Sequence, residues 1–350
     1  MNKKLLQDLI LKASPSGYEK EATKVWKNYL SELPECYTDK IGNSAFSVGH
    51  GPIKILLSGH IDQVNAQVSM IHDNGLLALE YTGGIDNRCL PGSWVSILTD
   101  DGGAVPGAVI KQAMHLDESD KWPDGHRDMS QLRVDIGVST KEEALDLGIH
   151  PGSIVCYRPE VDINFGSNRV CGTSLDDKVG VFITAEILKT LKVKEILGWA
   201  EKYTVIGLSA TQEETGLRGA TIAAKAINPD ISIDFDVTFC SDDELSGPKD
   251  RLGEIGLGKG PVISWGCDKS PRINMILKNV AKELGNNYQE ESSRSGGTNT
   301  DVIQLFSLDC ETTHIAIPNR SMHSQTEVCD WEDIQGAIEL VVEAIIRENL

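Results

Sequence analysis

The chain has 350 residues, 40% of them hydrophobic, which is enough for a sizeable buried core and for more than one domain. Its 52 acidic residues against 33 basic ones leave a net charge of -19. A surface of that sign repels phosphate backbones, so nucleic acid is not an expected partner, and no apolar run approaches the roughly 20 residues that span a bilayer.

The eight cysteines are scattered and none forms a Cys-x-x-Cys pair. That argues against zinc fingers and a disulfide framework, and predicts buried small apolar residues in a reducing cytoplasm. Met1 to Gln7 reads as a polar helix opening and not as a signal peptide.

Leu5, Leu6, Leu9 and Ile10 form one apolar face of a first helix, interrupted by Ser14–Gly17. A second amphipathic stretch runs from Glu19 to about Leu33. Lys54–Ser58 is a short apolar run of buried-strand type that ends in Gly59, His60, Ile61 and Asp62. From about Val64 to Phe165 short alternating runs are split by turn signals such as Asp73–Gly75, Thr82–Gly84, Asp100–Gly103 and Pro151–Gly152, the texture of a small all-β module. One short helix is expected inside it, over Thr140–Gly148, capped by Thr140 or Ser139.

After about residue 166 the α/β texture returns. Lys178–Leu191 reads as a helix, and Tyr203–Ser209, Ile231–Phe239 and Thr313–Ile317 read as strands. Asp330 caps a closing helix with Ile334, Ala337, Ile338, Val341, Val342 and Ile345 on its buried side. The pattern predicts an α/β domain over 1–64 and 166–350, interrupted by a β domain over 65–165.

Metal-capable side chains cluster at strand ends: His60 and Asp62, Asp176 and Asp177, Glu213 and Glu214, Asp234 and Asp236 with Asp242 beyond, and His323. Ligands of open α/β sheets bind beyond the carboxyl ends of the strands. Several acids gathered there repel one another unless a cation sits among them, and imidazole with carboxylate suits zinc or cobalt. Each piece alone has a bland reading. Asp176–Asp177 would be a helix cap, Glu213–Glu214 a solvated pair, and His60 a satisfied core histidine. Spacing favours the other reading for His60, because Asp62 shares its strand face and could accept the second ring N–H. His50, His72, His115, His126, His150 and His314 lie in turns or the β module, or lack an acidic partner, and read as structural or surface residues. Gly256–Gly260 lacks the spacing of a phosphate loop and reads as a turn, and Gly-x-Ser-x-Gly is absent.

These motifs resemble the tetrahedral (TET) aminopeptidases, also called the glutamyl or deblocking aminopeptidase family. The likeness extends to Ser14–Glu19, Gly83–Arg88, Val134–Gly137, Leu257–Pro261 and the run from Gly296 to Thr298. It implies a zinc-peptidase-like mixed sheet flanked by helices, with a small β-barrel inserted. It implies two divalent ions, zinc with cobalt or manganese as alternatives. His60 and Asp236 would bind one ion, Glu214 and His323 the other, and Asp176 would bridge them. Glu213 would be the general base acting on a metal-bridging hydroxide, and Asp62 would orient His60. Short peptides would be the substrates, and the insert would pair subunits into dimers that assemble into a hollow dodecamer. The sequence departs from the family pattern at Gln63, Ile85, Asn299 and Ser321. A related two-metal deacetylase or dipeptidase would share most ligands. A glycoside hydrolase would leave His60, Asp236 and His323 without a task. A non-catalytic assembly subunit is the remaining class.

Overall fold

The computed structural model describes residues 1–113, 115, 129–243, 247–293, 297–347 and 350. His126 and Gly296, both singled out above, lie outside the described residues.

The first three strands are β1 (Glu35–Thr38), β2 (Ser44–Gly49) and β3 (Ile53–His60). The barrel strands follow: β4 (Asn65–Ile71), β5 (Leu77–Thr82), β6 (Trp94–Leu98), β7 (Ala104–Ile110), β8 (Arg133–Asp135) and β9 (Ile154–Tyr157). Next come β10 (Val161–Phe165), β11 (Arg169–Gly172), β12 (Tyr203–Ala210) and β13 (Ile231–Phe239). The last are β14 (Val262–Trp265), β15 (Gln289–Ser292), β16 (Glu311–Asn319) and β17 (Glu327–Asp330). The α-helices are α1 (Lys3–Ile10), α2 (Lys20–Tyr29), α3 (Lys141–Asp146), α4 (Leu175–Val193) and α5 (Arg218–Ile227). They continue as α6 (Lys249–Leu252), α7 (Pro271–Leu284), α8 (Asn299–Phe306) and α9 (Trp331–Ile346).

An eight-stranded sheet in the order β1-β2-β12-β3-β13-β16-β14-β15 forms the main body. Its four central strands, β12, β3, β13 and β16, are mutually parallel, so their carboxyl ends share one edge. Parallel strands need both faces covered. A large core cluster joins one face to α1, α2, α4, α7 and α9 through residues such as Leu9, Trp26, Phe182, Leu277 and Val341. A smaller cluster joins the other face to α5 and α8 through Leu208, Ala223 and Ile303. Helix α4 is apolar nearly all round and correspondingly buried nearly all round.

The closed barrel runs β4-β5-β8-β7-β6-β9 around its own core of Val68, Leu79, Ile97 and Val134. Strand β10, which the sequence division puts with the insert, pairs with β11, and β11 pairs with β17, outside the barrel. Thr140 caps α3 by accepting the Glu143 N–H, while the Glu143 carboxylate accepts the Ser139 N–H. Asp330 caps α9 through the Glu332 N–H. The Gly256–Gly260 segment is a turn held by Asp333, whose carboxylate accepts the Gly258 and Gly260 N–H groups.

The cysteines depart from expectation. All eight are free, but only Cys156, Cys240 and Cys329 are buried. Cys36 lies on the edge strand β1, and Cys89 and Cys267 lie between strands, where no second layer covers them. No helix among the described residues is long and apolar enough to cross a membrane.

Candidate metal centre

The parallel core delivers the site. His60 is the last residue of β3, and Glu213 and Glu214 follow the end of β12. Asp236 lies within β13, and His323 follows β16. Asp176 comes from the opening turn of α4. That helix approaches so closely that a Cβ on Gly59 would lie 2.5 Å from the Gly180 carbonyl carbon, so only glycine fits before His60.

Asp176 sits between the two histidines. Its Oδ1 is 3.2 Å from His60 Nε2 and its Oδ2 is 3.1 Å from His323 Nε2. Around His60 Nε2 stand Glu213 at 3.8 Å and Asp236 at 3.9 Å, while Glu214 stands 3.7 Å from His323 Nε2. Two overlapping groups could hold an ion: His60 with Glu213 and Asp236, and His60 with Asp176 and Glu214. His323 belongs to neither compact group, although it faces Asp176 and Glu214. The two glutamates thus divide between the two sides of Asp176. Gln212, at φ 53°, turns the chain after β12 and lets adjacent residues reach the same space.

Both imidazoles present the same edge. His60 Nδ1 is 3.1 Å from the Asp62 backbone oxygen, and His323 Nδ1 is 2.8 Å from the Gly84 backbone oxygen. A carbonyl can only accept, so each Nδ1 carries a proton and each Nε2 is the nitrogen turned to the pocket, where a metal ion would take the place of any second proton.

The Asp62 carboxylate does more than face His60. Its nearest oxygen is 3.5 Å from His60 Nδ1, and the Asp62 carbonyl is nearer still. The same carboxylate accepts the N–H groups of Glu213 at 2.9 Å and Glu214 at 3.2 Å, and the Ser16 hydroxyl at 2.6 Å. Glu327 is a second clasp that sequence reading missed. It accepts the Asp176 N–H at 2.8 Å and the His323 N–H at 3.0 Å, and so ties two distant segments together. Asp177 accepts the His60 N–H at 3.0 Å. None of these backbone contacts leaves a spacing signal in the sequence.

Four carboxylates and two imidazoles line one end of a cavity of about 400 Å³. Burial and the neighbouring carboxylates push Glu213 up to about 7, and hold Glu214 and Asp236 well above the ordinary carboxylate range. Burial works against a charged His60, yet Glu213, Asp176, Asp62 and Asp236 lift it well above the usual histidine range. Glu214 Oε1 is buried without a hydrogen-bond partner. This excess of negative oxygen, with imidazole nitrogens and an orphaned carboxylate atom, fits a divalent cation.

The other histidines divide. His50 pairs with Glu201 and His150 with Asp100 at the surface, and His115 is exposed. His314 lines the cavity, unlike the structural role expected of it. Asp234 is buried beside the site and takes the Ser58 hydroxyl and the Asn299 amide. Asp242 pairs with Arg320.

A family model described as M42 glutamyl aminopeptidase matches residues 42–340. The chain belongs to the M42 family. It is 31% identical to the lysyl aminopeptidase of Pyrococcus furiosus, over 98% of this chain and 96% of that one. A TET aminopeptidase from a marine-sediment Thaumarchaeota archaeon superposes with a TM-score of 0.90 at 28% identity, covering 99% of this chain and 97% of that one. The TET1 peptidase of Pyrococcus horikoshii, which assembles into a tetrahedron or a large octahedral shell, superposes with a TM-score of 0.84 at 26% identity, covering 98% of each chain. This M42 protein is therefore an aminopeptidase with the TET peptidase fold, a mixed sheet flanked by helices and carrying a closed barrel.

Proposed function

We propose that the cavity is the active site of a two-metal aminopeptidase that releases single residues from the free amino end of short peptides. One observation carries this reading: a single buried carboxylate, Asp176, turns one oxygen to His60 and the other to His323. Such a carboxylate suits a bridge between two ions. His60 and Asp236 would hold one ion, Glu214 and His323 the other. Zinc is the proposed metal, with cobalt or manganese as substitutes.

When bound, the ions lower the pKa of water between them and polarise the scissile carbonyl. Glu213 takes the proton of the attacking water on its carboxylate and passes it to the departing amine. The Asp62 carboxylate keeps the Glu213 backbone in place, and Glu327 does the same for Asp176 and His323.

Residues 1–64 and 161–350 form the catalytic part, and the barrel over 65–157 the part that pairs subunits. The exposed barrel residues Met70, Tyr81, Trp94 and Ile110 support pairing there. The tetrahedral assembly of the Pyrococcus horikoshii peptidase supports dimers building a dodecamer. The eight free cysteines suit the cytoplasm.

The test is a panel of aminoacyl anilides and their N-acetylated counterparts, run on chelator-stripped protein and again with each metal restored. Free-amine substrates should be cut only by the metal-restored protein, and acetylated ones should survive. Cleavage confined to the acetylated set would replace this reading with an amidohydrolase of acylated amino acids.

A further inference from the structure

We propose that the far wall of the cavity selects peptides whose first side chain ends in a cationic N–H donor, as in lysine or arginine, and that His314, Glu291 and Asp301 make this selection. The proposal rests on the aminopeptidase reading and names the substrate class for the same site. The family model is described as glutamyl and the Pyrococcus furiosus relative is named lysyl, so family membership leaves the side chain open.

The cavity extends from the metal-centre carboxylates past Thr238 to Glu291, Asp301 and His314. Its far wall is a chain of hydrogen bonds with a fixed direction. Thr238 donates its hydroxyl proton to Glu291 Oε2 at 2.6 Å, and Ser264 donates its own to Glu291 Oε1 at 2.6 Å. Ser264 has only one proton to give. Its oxygen also lies 3.1 Å from His314 Nδ1, so that contact requires the proton to sit on Nδ1. Nε2 of His314 is then a bare lone pair. It is buried and has no hydrogen-bond partner among the described residues.

The ring does not escape by becoming charged. Burial, helped by the nearby Lys269 ammonium, pushes His314 down to about 3, so it remains a neutral acceptor. An unmet buried acceptor is unfavourable, and a ligand that brings a donor relieves it.

The rest of the wall has the same polarity. Glu291 accepts one hydroxyl on each oxygen and keeps further lone pairs. Asp301 accepts the Gly297 N–H at 2.8 Å. Against these two carboxylates and a lone pair, the described lining residues offer an acidic side chain one guanidinium, that of Arg251, which is exposed on the short helix α6. An ammonium or guanidinium meets an acceptor with each N–H. A carboxylate meets repulsion, and an alkyl chain leaves Nε2 unmet.

Lysine and norleucine p-nitroanilides separate the charge from the chain length, because norleucine is lysine with the ammonium replaced by hydrogen. On metal-restored wild-type protein, kcat/KM for lysine should exceed that for norleucine by about tenfold or more. Glu291→Gln should shrink that ratio by about tenfold, and Asp301→Asn serves the same purpose should circular dichroism show Glu291→Gln unfolded. A ratio near one, or faster cleavage of the glutamyl anilide, overturns the proposal. If no anilide is cut, the aminopeptidase reading fails, and calorimetry of lysinamide against norleucinamide still decides selection. Tighter lysinamide binding supports it and equal affinity rejects it.

Discussion

The backbone oxygen of Gly84, in the loop after β5, accepts the Nδ1 proton of His323 at 2.8 Å. A barrel loop thereby fixes the tautomer and heading of an imidazole that follows β16. A Cβ on Gly84 would lie 2.9 Å from His323 Cε1 and Nδ1. Gly84→Ala should therefore turn the ring and weaken metal binding by about ten- to a hundredfold while leaving the fold intact. Metal content after dialysis, measured beside a circular dichroism spectrum, checks this. Full metal retention would mean that the Gly84 contact is incidental.

Glu213→Gln removes a proton acceptor but keeps the side chain's shape. Turnover should fall about a hundredfold to ten-thousandfold, with metal content and melting temperature held near wild type. Steady-state kinetics on the metal-loaded variant give the answer. Activity within tenfold of wild type would take the role of base away from Glu213.

Asp62→Asn leaves one accepting oxygen where two now serve the N–H groups of Glu213 and Glu214 and the Ser16 hydroxyl. The amide nitrogen would face a donor. A loss of about 1–3 kcal/mol in stability is expected, together with a fall in kcat larger than any change in KM. Denaturant melts and kinetics measure the two separately. A change confined to KM would point to substrate contact and away from positioning.

Gln63 explains one departure from the family pattern. Its Oε1 accepts from the Ser14 N–H at 3.0 Å and from Lys178 Nζ at 3.2 Å. Lys178 is fully buried and, among the described residues, otherwise donates to the Lys12 carbonyl and the Ser174 hydroxyl, and burial pushes its pKa down to about 7. Gln63→Glu gives this ammonium a charged partner. The melting temperature at pH 7 should rise by about 2–4 °C, the shift for roughly 1 kcal/mol in a domain of this class. An unchanged or lower melting temperature would mean that the neutral arrangement is the better one.

Much of this architecture was legible. Short apolar runs that end just before His60 and a few residues before Glu213 announce buried strands with acids and imidazoles gathered at their ends. The period-two texture with frequent turns announced an all-β module, and the family resemblance made it a barrel. What stayed hidden depends on groups that meet only after folding. Glu327 and Asp62 act on backbone N–H groups, which every residue has and which no spacing reveals. The nearest acid to His314 in sequence, Glu311, pairs with Arg272 instead, and the lone pair of His314 is defined by Ser264 and Glu291 on β14 and β15. The three exposed cysteines were misjudged because burial depends on which strand lies at a sheet edge, as for Cys36, and on which residues fall in connections, as for Cys89 and Cys267.

Asp176 lies 116 residues beyond His60, and the whole barrel is threaded between them before His323 arrives from yet another segment. A chain made only as far as β13 already carries His60, Asp176, Glu213, Glu214 and Asp236, but it lacks the second imidazole that faces Asp176. The cage therefore closes on its His323 side only when the segment after β16 docks against Asp176 and the barrel loop at Gly84.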